Sequence, residues 1–360
     1  MTTVALVGTG LIGGSLGLAL RRAGVKVVGY DADPARLERA RERGAVDDAA
    51  DSLPSVMVGA DVAFVAIPVS AVAEAAGVAL AAGVAAVSDV GSAKAAVVRA
   101  VEAAHPEAGA HFVGGHPMAG SEHDGIEGAD AELFAGATWV LTPTERTDPG
   151  AFARVRDLVA AVGAEVVAVT PELHDELVAT VSHVPHLVAG ALMHVAAEGS
   201  PNHDTLLRLA AGGFRAMTRL SGRAPGIWPD ICVENRDAIV EVLDRYVDEL
   251  GRARDLVRAG ERGALLEFFQ RAQAEGRSLP DRSTRAGPLV ELSIPVPDRP
   301  GVLAEVTTLA GSHGVNIADL AIRHSETGGV LVMVVAESGA EAIVEGLVAR
   351  GYRVARSVVE

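Results

Sequence analysis

The stretch "VALVGTGLIGGSLG" (Val4–Gly17) decides how the first half of this chain is read. A short apolar run leads into Gly8, Gly10 and Gly13 at the G-x-G-x-x-G spacing, and a helical pattern follows. With 40 glycines in 360 residues such spacing also arises by chance, so its surroundings carry the weight. A second apolar run, "KVVGY", ends at Asp31, 23 residues after Gly8. A bound dinucleotide requires that arrangement. Gly8 makes the turn, Gly10 admits a pyrophosphate to the backbone, and Gly13 lets helix and strand pack closely, with the phosphates at the helix N-terminus. Leu11 and Ile12 complete the loop. Asp31 can accept bonds from ribose hydroxyls and would repel a 2′-phosphate, so NAD is expected over NADP. Arg36, one turn into the next helix, is expected to face solvent.

Outward from that loop, residues 1–170 alternate short apolar runs with helical patterns. The runs are "VALVG", "KVVGY", "DVAFVAIP" (61–68), "VAAVSDV" (84–90), "TWVLTP" (138–143) and "EVVAVT" (165–170). Continuously apolar strands separated by amphipathic helices predict an α/β domain, a Rossmann-type doubly wound parallel sheet covered on both faces. Residues 171–280 read as all-α. Thr170 and Pro171 open the first helix as cap and first-turn residue, and residues 228–260 keep helical spacing for about thirty residues. The apolar stretch 177–197 is long enough to cross a bilayer, but its histidines and proline favour a helix buried between protein surfaces. So much apolar surface on one protomer predicts a homodimer. After the linker "SLPDRSTRAGP", residues 288–360 read βαββαβ, a small ferredoxin-like unit.

Bulk composition narrows the partners. The net charge is −16, and Lys26 and Lys94 are the only lysines. A nucleic-acid binder needs a basic face, so none is expected. An anionic substrate must be met by local arginines, histidines or helix N-termini. The single cysteine, Cys232, suits a reducing compartment. The first residues run directly into strand and loop, which predicts a cytoplasmic protein with no membrane partner.

In an open α/β sheet, ligands collect beyond the carboxyl ends of the strands. "AIPVS" (66–70, with Pro68), "SDVGSAK" (88–94) and "GGHPMAG" (114–120) fall there. The second starts a helix near Ser92, whose hydroxyl and neighbouring free amides should face the cleft. The third reads as a loop, too rich in glycine, histidine and proline for a packed strand. It carries His116, an imidazole suited to take a proton from an alcohol near neutral pH, and its glycines would allow close approach of substrate and nicotinamide.

Together "DVGSAK", "GGHPMAGSEHDG", "TPELHD", "VSHVPH" and "GGFRAMTRL" resemble the prephenate dehydrogenase family of tyrosine biosynthesis, in order and spacing over residues 4–260. "DRPGVLAEV" and "GVNIADL" resemble an ACT domain, an amino-acid-sensing module. The resemblance implies NAD-dependent oxidative decarboxylation of prephenate to 4-hydroxyphenylpyruvate. It assigns His116 as the base and Ser92 as the serine that aligns it. Arg219 would hold a substrate carboxylate, with Arg215 as competitor. It places His186 in the substrate site, with His183 as a packed partner. Ser121 and Glu122 would gate access, and Trp228 would either close the cleft or pack in the core. His174 and Asp175 would orient a neighbouring group or face solvent. A metal held by His174, His183 and His186 is not expected, for no metalloenzyme motif accompanies them.

The ACT resemblance implies an effector, tyrosine, between the turn at Gly301 and the strand near Asn316, or a domain that only assists dimerisation. The rivals are an arogenate dehydrogenase, with Glu122 as the residue to test, a 3-hydroxyacid dehydrogenase, disfavoured because no lysine follows Lys94, and a non-catalytic sensor of NAD and an amino acid.

Overall fold

The computed structural model describes residues 2–121, 125–198, 209–210, 212–222, 226–277, 289–297, 299, 301–325 and 328–358. Two compact units divide the chain, Met1–Asp255 and Leu256–Glu360.

The first unit opens with eight strands: β1 (Thr3–Val7), β2 (Lys26–Tyr30), β3 (Asp48–Ala49), β4 (Val62–Val65), β5 (Ala86–Asp89), β6 (Phe112–Pro117), β7 (Thr138–Thr142) and β8 (Glu165–Ala168). They form one sheet in the order β3-β2-β1-β4-β5-β6-β7-β8. Every pair is parallel except β6 and β7. Helices α1 (Leu11–Arg22), α2 (Pro34–Glu42), α3 (Leu53–Val56), α4 (Val69–Ala81), α5 (Ala95–Ala104) and α6 (Pro149–Ala161) connect them. The pleat divides the core as a doubly wound fold requires. Val4, Leu6, Val62 and Phe64 pack on one face with Leu16 and Trp139, while Ala5, Val7, Ala63 and Val65 pack on the other with Val72 and Val98.

The structure corrects one expectation at the centre of this unit. The segment around His116 is a strand, β6, with His116 paired in register to Val140. Gly114 and Gly115 serve packing there: a Cβ at Gly114 would lie 2.4 Å from Thr142 Oγ1, and one at Gly115 would lie 2.6 Å from the Asp89 carbonyl oxygen. Glycine in a strand interior marks such close approach. Protein atoms, rather than substrate, therefore fill the space beside both residues.

The helical part of the unit holds α7 (Pro171–Val178), a π turn (Ala179–His183), α8 (Val184–Glu198), α9 (Gly212–Thr218), a 3-10 turn (Arg219–Gly222), α10 (Trp228–Glu234) and α11 (Arg236–Ala259). The Thr170 hydroxyl caps α7 by accepting from the Leu173 amide at 3.3 Å. The long apolar stretch is thus two helices joined by a π turn, and residues 171–197 satisfy length and composition for a membrane span. Only part of it is buried within the chain. Ala179, Val184 and Ala189 face the interior, whereas Val181 and Val195 are exposed. The expected continuous helix over 228–260 is broken at Asn235, which leaves helical geometry and turns a buried amide into the interior.

In the second unit, α12 (Arg262–Arg277) precedes β9 (Leu289–Val296), α13 (Val302–Ser312), β10 (Ile317–Ser325), β11 (Gly328–Ala336), α14 (Glu337–Ala349) and β12 (Ala355–Val358). The antiparallel order β10-β11-β9-β12 is the ferredoxin-like arrangement. Leu292, Ile294, Leu309, Met333, Ile343 and Leu347 fill its core. The linker 278–288 lies outside the described residues.

Candidate active site

The glycine loop has the shape that a dinucleotide requires. Gly8 has φ +88°, and a Cβ on it would lie 2.2 Å from the Ala66 carbonyl oxygen; at Gly13 a Cβ would lie 2.0 Å from the Gly8 carbonyl oxygen. At Gly10, the N-cap of α1, no protein atom lies within 4 Å of such a Cβ. Two glycines are thus demanded by packing, and the third leaves open space at a helix N-terminus that no side chain caps. Val7, Gly8, Gly10, Asp31, Arg36, Ile67 and Pro68 line the adjoining cavity, of about 320 Å³. Leu11 and Ile12 form the first turn of α1.

Asp31 is buried and held firmly. Its Oδ2 accepts from the Thr9 amide at 2.8 Å and the Thr9 hydroxyl at 3.0 Å. Its Oδ1 accepts from the Asp33 amide at 2.9 Å and from Arg36 Nη1 at 3.3 Å. Arg36, still exposed as expected, also reaches the carboxylate and lines the cavity.

The second half of the site is a chain of polar groups. His116 Nδ1 lies 2.8 Å from His174 Nε2, and His174 Nδ1 lies 2.8 Å from Asp175 Oδ1. Asp175 Oδ1 accepts from the Lys94 amide at 2.8 Å, and Oδ2 accepts from the Ala95 amide at 2.9 Å. These are the first amides of α5, so a carboxylate on α7 caps α5. The free amides expected near Ser92 are consequently taken. Ser92 itself is half-buried on the loop between β5 and α5, and its hydroxyl makes no hydrogen bond to another described residue. On the far side, Asn235 Nδ2 donates to the Asp175 carbonyl at 2.9 Å and lies 3.1 Å from His183 Nδ1.

Below His116, Lys94 and Asp89 form a fully buried ion pair. Asp89 also accepts from the Gly91 amide at 2.9 Å and from the Gly115 amide at 3.1 Å. That pair ties the start of α5 to the strand that carries His116. Burial pulls the Lys94 ammonium below the ordinary lysine range, against the attraction of Asp89. Burial first, then the neighbouring His174, Lys94 and His183, hold His116 well below the usual imidazole value. A base that starts neutral results. His183, also desolvated, is pulled down to about 4.

His183 and His186 share a helix face, and Trp228 meets both. It stacks on His186 with ring centroids 3.6 Å apart and presents an edge to His183 at 6.3 Å. The three histidines that might suggest a metal are each engaged this way: His174 between His116 and Asp175, His183 on Asn235, His186 on Trp228. Arg219, at the start of the 3-10 turn, is exposed, and Arg215 bonds the Ala210 carbonyl at 3.1 Å. Ser121 is half-buried, and Glu122 lies outside the described residues. In the second unit Gly301 caps α13 with φ +89°, and Asn316 is exposed just before β10.

Sequence reasoning reached His116 but not the wiring beneath it. Of the two readings of His174 and Asp175, orienting a neighbouring group or facing solvent, the second falls, for both are buried. A second lysine in an acidic chain, five residues after an aspartate, was the available signal for the Asp89–Lys94 pair.

A dinucleotide cradle and a half-buried neutral imidazole in one unit define a nucleotide-dependent dehydrogenase. Family models agree: residues 16–168 match the prephenate dehydrogenase nucleotide-binding domain, 170–271 the prephenate dehydrogenase dimerization domain, and 290–349 the ACT domain. The chain is 34% identical over 326 residues to a prephenate dehydrogenase of Bacillus subtilis, covering 89% of this chain and 88% of that one. It is 32% identical over 277 residues to a cyclohexadienyl dehydrogenase of Zymomonas mobilis, covering 75% and 93%. Among solved structures, a prephenate dehydrogenase of Aquifex aeolicus in complex with hydroxyphenyl propionate and NAD+ is 31% identical, with a TM-score of 0.72 over 78% of this chain and 99% of that one. A Synechocystis arogenate dehydrogenase is also 31% identical, with a TM-score of 0.70 over 78% and 100%. The chain belongs to the prephenate dehydrogenase family.

Proposed function

We propose that this protein is an NAD-dependent prephenate dehydrogenase that converts prephenate to 4-hydroxyphenylpyruvate. One observation carries the reading: a half-buried imidazole, kept neutral by its surroundings, lies at the end of a strand in the same unit as an open glycine cradle. Gly8, Gly10, Leu11, Ile12, Gly13, Asp31 and Pro68 would hold NAD, which when bound supplies the hydride acceptor. His116 takes the proton of the ring hydroxyl as that carbon gives up hydride. The ring carboxylate leaves as carbon dioxide, its bonding pair restores aromaticity, and the phenolate regains a proton. Ser92 aligns the hydroxyl with His116. Arg219, exposed and without a carboxylate partner among the described residues, anchors a substrate carboxylate through its planar fork. The stacked pair His186 and Trp228 forms a wall for the ring, and Ser121 gates access; Glu122, read with it, lies outside the described residues.

The division into a nucleotide domain (1–170), a helical domain (171–280) and an ACT domain (288–360) is part of this reading. So is a homodimer through the helical domain, supported by the exposed apolar residues Val181, Val195, Val240, Val247 and Leu250. The ACT domain binds tyrosine near Gly301 and Asn316 and inhibits. The enzyme works in the cytoplasm, which suits its one cysteine.

The test is absorbance of reduced nicotinamide after mixing protein with NAD and prephenate, then with arogenate instead. A rise with prephenate and an aromatic keto-acid product supports the reading. A rise with arogenate alone changes the substrate, an outcome that the likeness to the Synechocystis arogenate dehydrogenase makes worth measuring. No rise with either, in protein that binds NAD, overturns the role of His116.

A further inference from the structure

We propose that His174 and Asp175 are positioning residues that hold the proton of His116 on Nδ1 and so leave Nε2 as the proton-accepting atom. The inference rests on the reading of His116 as the base. An imidazole offers two nitrogens, and which one accepts is set by the bond that the other makes. Here the choice is forced from the far end. Asp175 Oδ1 already receives the Lys94 amide at 2.8 Å and can only accept, so His174 must donate from Nδ1 across its 2.8 Å contact. With His174 neutral, its Nε2 is then an acceptor. His116 Nδ1, 2.8 Å away, must supply the hydrogen. All three groups are thereby satisfied, and His116 Nε2 is the nitrogen left for the substrate.

The relay also answers a difficulty of the site. Burial beside Lys94 makes a charged His116 costly, yet the reaction charges it when the hydroxyl proton arrives. A carboxylate joined to it through one imidazole favours that charge as it forms, without relaxing the neutral resting state. Asp175 cannot drift, because the Lys94 and Ala95 amides fix its two oxygens and Asn235 holds its carbonyl. The parts come from α5, α7 and the break between α10 and α11, so the tautomer of a strand residue is set by the helical region.

The test compares His174→Phe, which keeps the bulk and removes both bonds, with His174→Gln, whose amide can accept from His116 and donate to Asp175. His174→Phe should lower kcat for prephenate about 10- to 100-fold, with KM for prephenate and NAD changed by no more than about threefold and with NAD binding retained. His174→Gln should recover about tenfold of that loss. Nitrogen-15 shifts of labelled histidine, with the His116 signal identified by its absence in His116→Asn, should show the Nδ1–H form in the parent and a mixture in His174→Phe. Parent-like kcat in His174→Phe, no rescue by Gln, or an Nε2–H form in the parent would each overturn the relay. If His116→Asn is itself fully active, the base assignment fails instead, so the two failures are told apart.

Discussion

The nucleotide cradle and the proton site solve opposite problems. The cradle is made by removing atoms: Gly8 and Gly13 let strand and helix touch, and Gly10 leaves room for a ligand. Its glycines and its carboxylate, Gly8 to Asp31, lie in one continuous stretch, which Ala66, Ile67 and Pro68 complete. The proton site is made by filling space with polar groups that satisfy one another. Its members, Asp89, Lys94, His116, His174, Asp175, His183 and Asn235, come from two strand ends, the start of α5, α7 with the π turn after it, and the break after α10. A site built from absence is legible locally. A site built from mutual satisfaction exists only after the chain has folded, because no member explains its burial alone.

That contrast can be broken by substitution. The largest effect should come from His116→Asn, which removes the proton acceptor and lowers kcat by about two orders of magnitude or more, with NAD affinity unchanged. Gly13→Ala should do the reverse. Its Cβ would sit 2.0 Å from the Gly8 carbonyl oxygen, so NAD binding by titration calorimetry should weaken while the helical region keeps its fold. If both variants lose NAD affinity alike, cradle and proton site are not separable.

Next in size is the buried Asp89–Lys94 pair. Lys94→Met leaves the Asp89 carboxylate uncompensated in the interior, which costs about 3–5 kcal/mol. Denaturant unfolding should show that loss, and the double variant Asp89→Leu/Lys94→Met should regain much of it. A loss no larger than that of a surface pair would mean that water reaches the site.

A pH series sharpens the same comparison. His116 and His183 are both depressed in the folded chain, the latter to about 4. In the unfolded chain each titrates near 6.5. Below that value the unfolded state takes up protons that the folded state refuses, so stability must fall as pH drops from 6.5 toward 4. Activity should stay level near pH 6.5 and decline only at lower pH, where His116 is finally protonated. His174, Lys94 and His183 face His116 and lower it further, while Asp175 faces His174. An activity midpoint at or above 6.5 would contradict the lowering of His116 by desolvation and its cationic and imidazole neighbours.

The smallest expected effect is at the cradle's edge. Arg36→Ala removes a half-exposed partner of Asp31, and KM for NAD should change by no more than a few-fold. A large gain in NADP use on replacing Asp31 would locate the cofactor choice there.

Particular elements show what was readable. Strands with continuous apolar runs were placed to within a few residues, because a buried parallel strand has little freedom in composition. β6 was misread as loop. Its glycines look like breakers until Thr142 and Asp89 are seen to occupy the space beside them. The break at Asn235 was invisible for a similar reason: periodicity on both sides is helical, and only the bonds to Asp175 and His183 reveal why an asparagine interrupts it.

The sequence by itself determined the nucleotide loop, the doubly wound sheet, the helical block, the ferredoxin-like unit and the identity of His116, since each rests on local pattern or steric demand. Only the tertiary structure decided that Asp175 caps α5 and that His174 joins His116 to a carboxylate. Hydrogen bonds between residues 58 to 81 positions apart are invisible to periodicity. Burial is what makes each of them obligatory, for a polar group removed from water must find its partner within the fold.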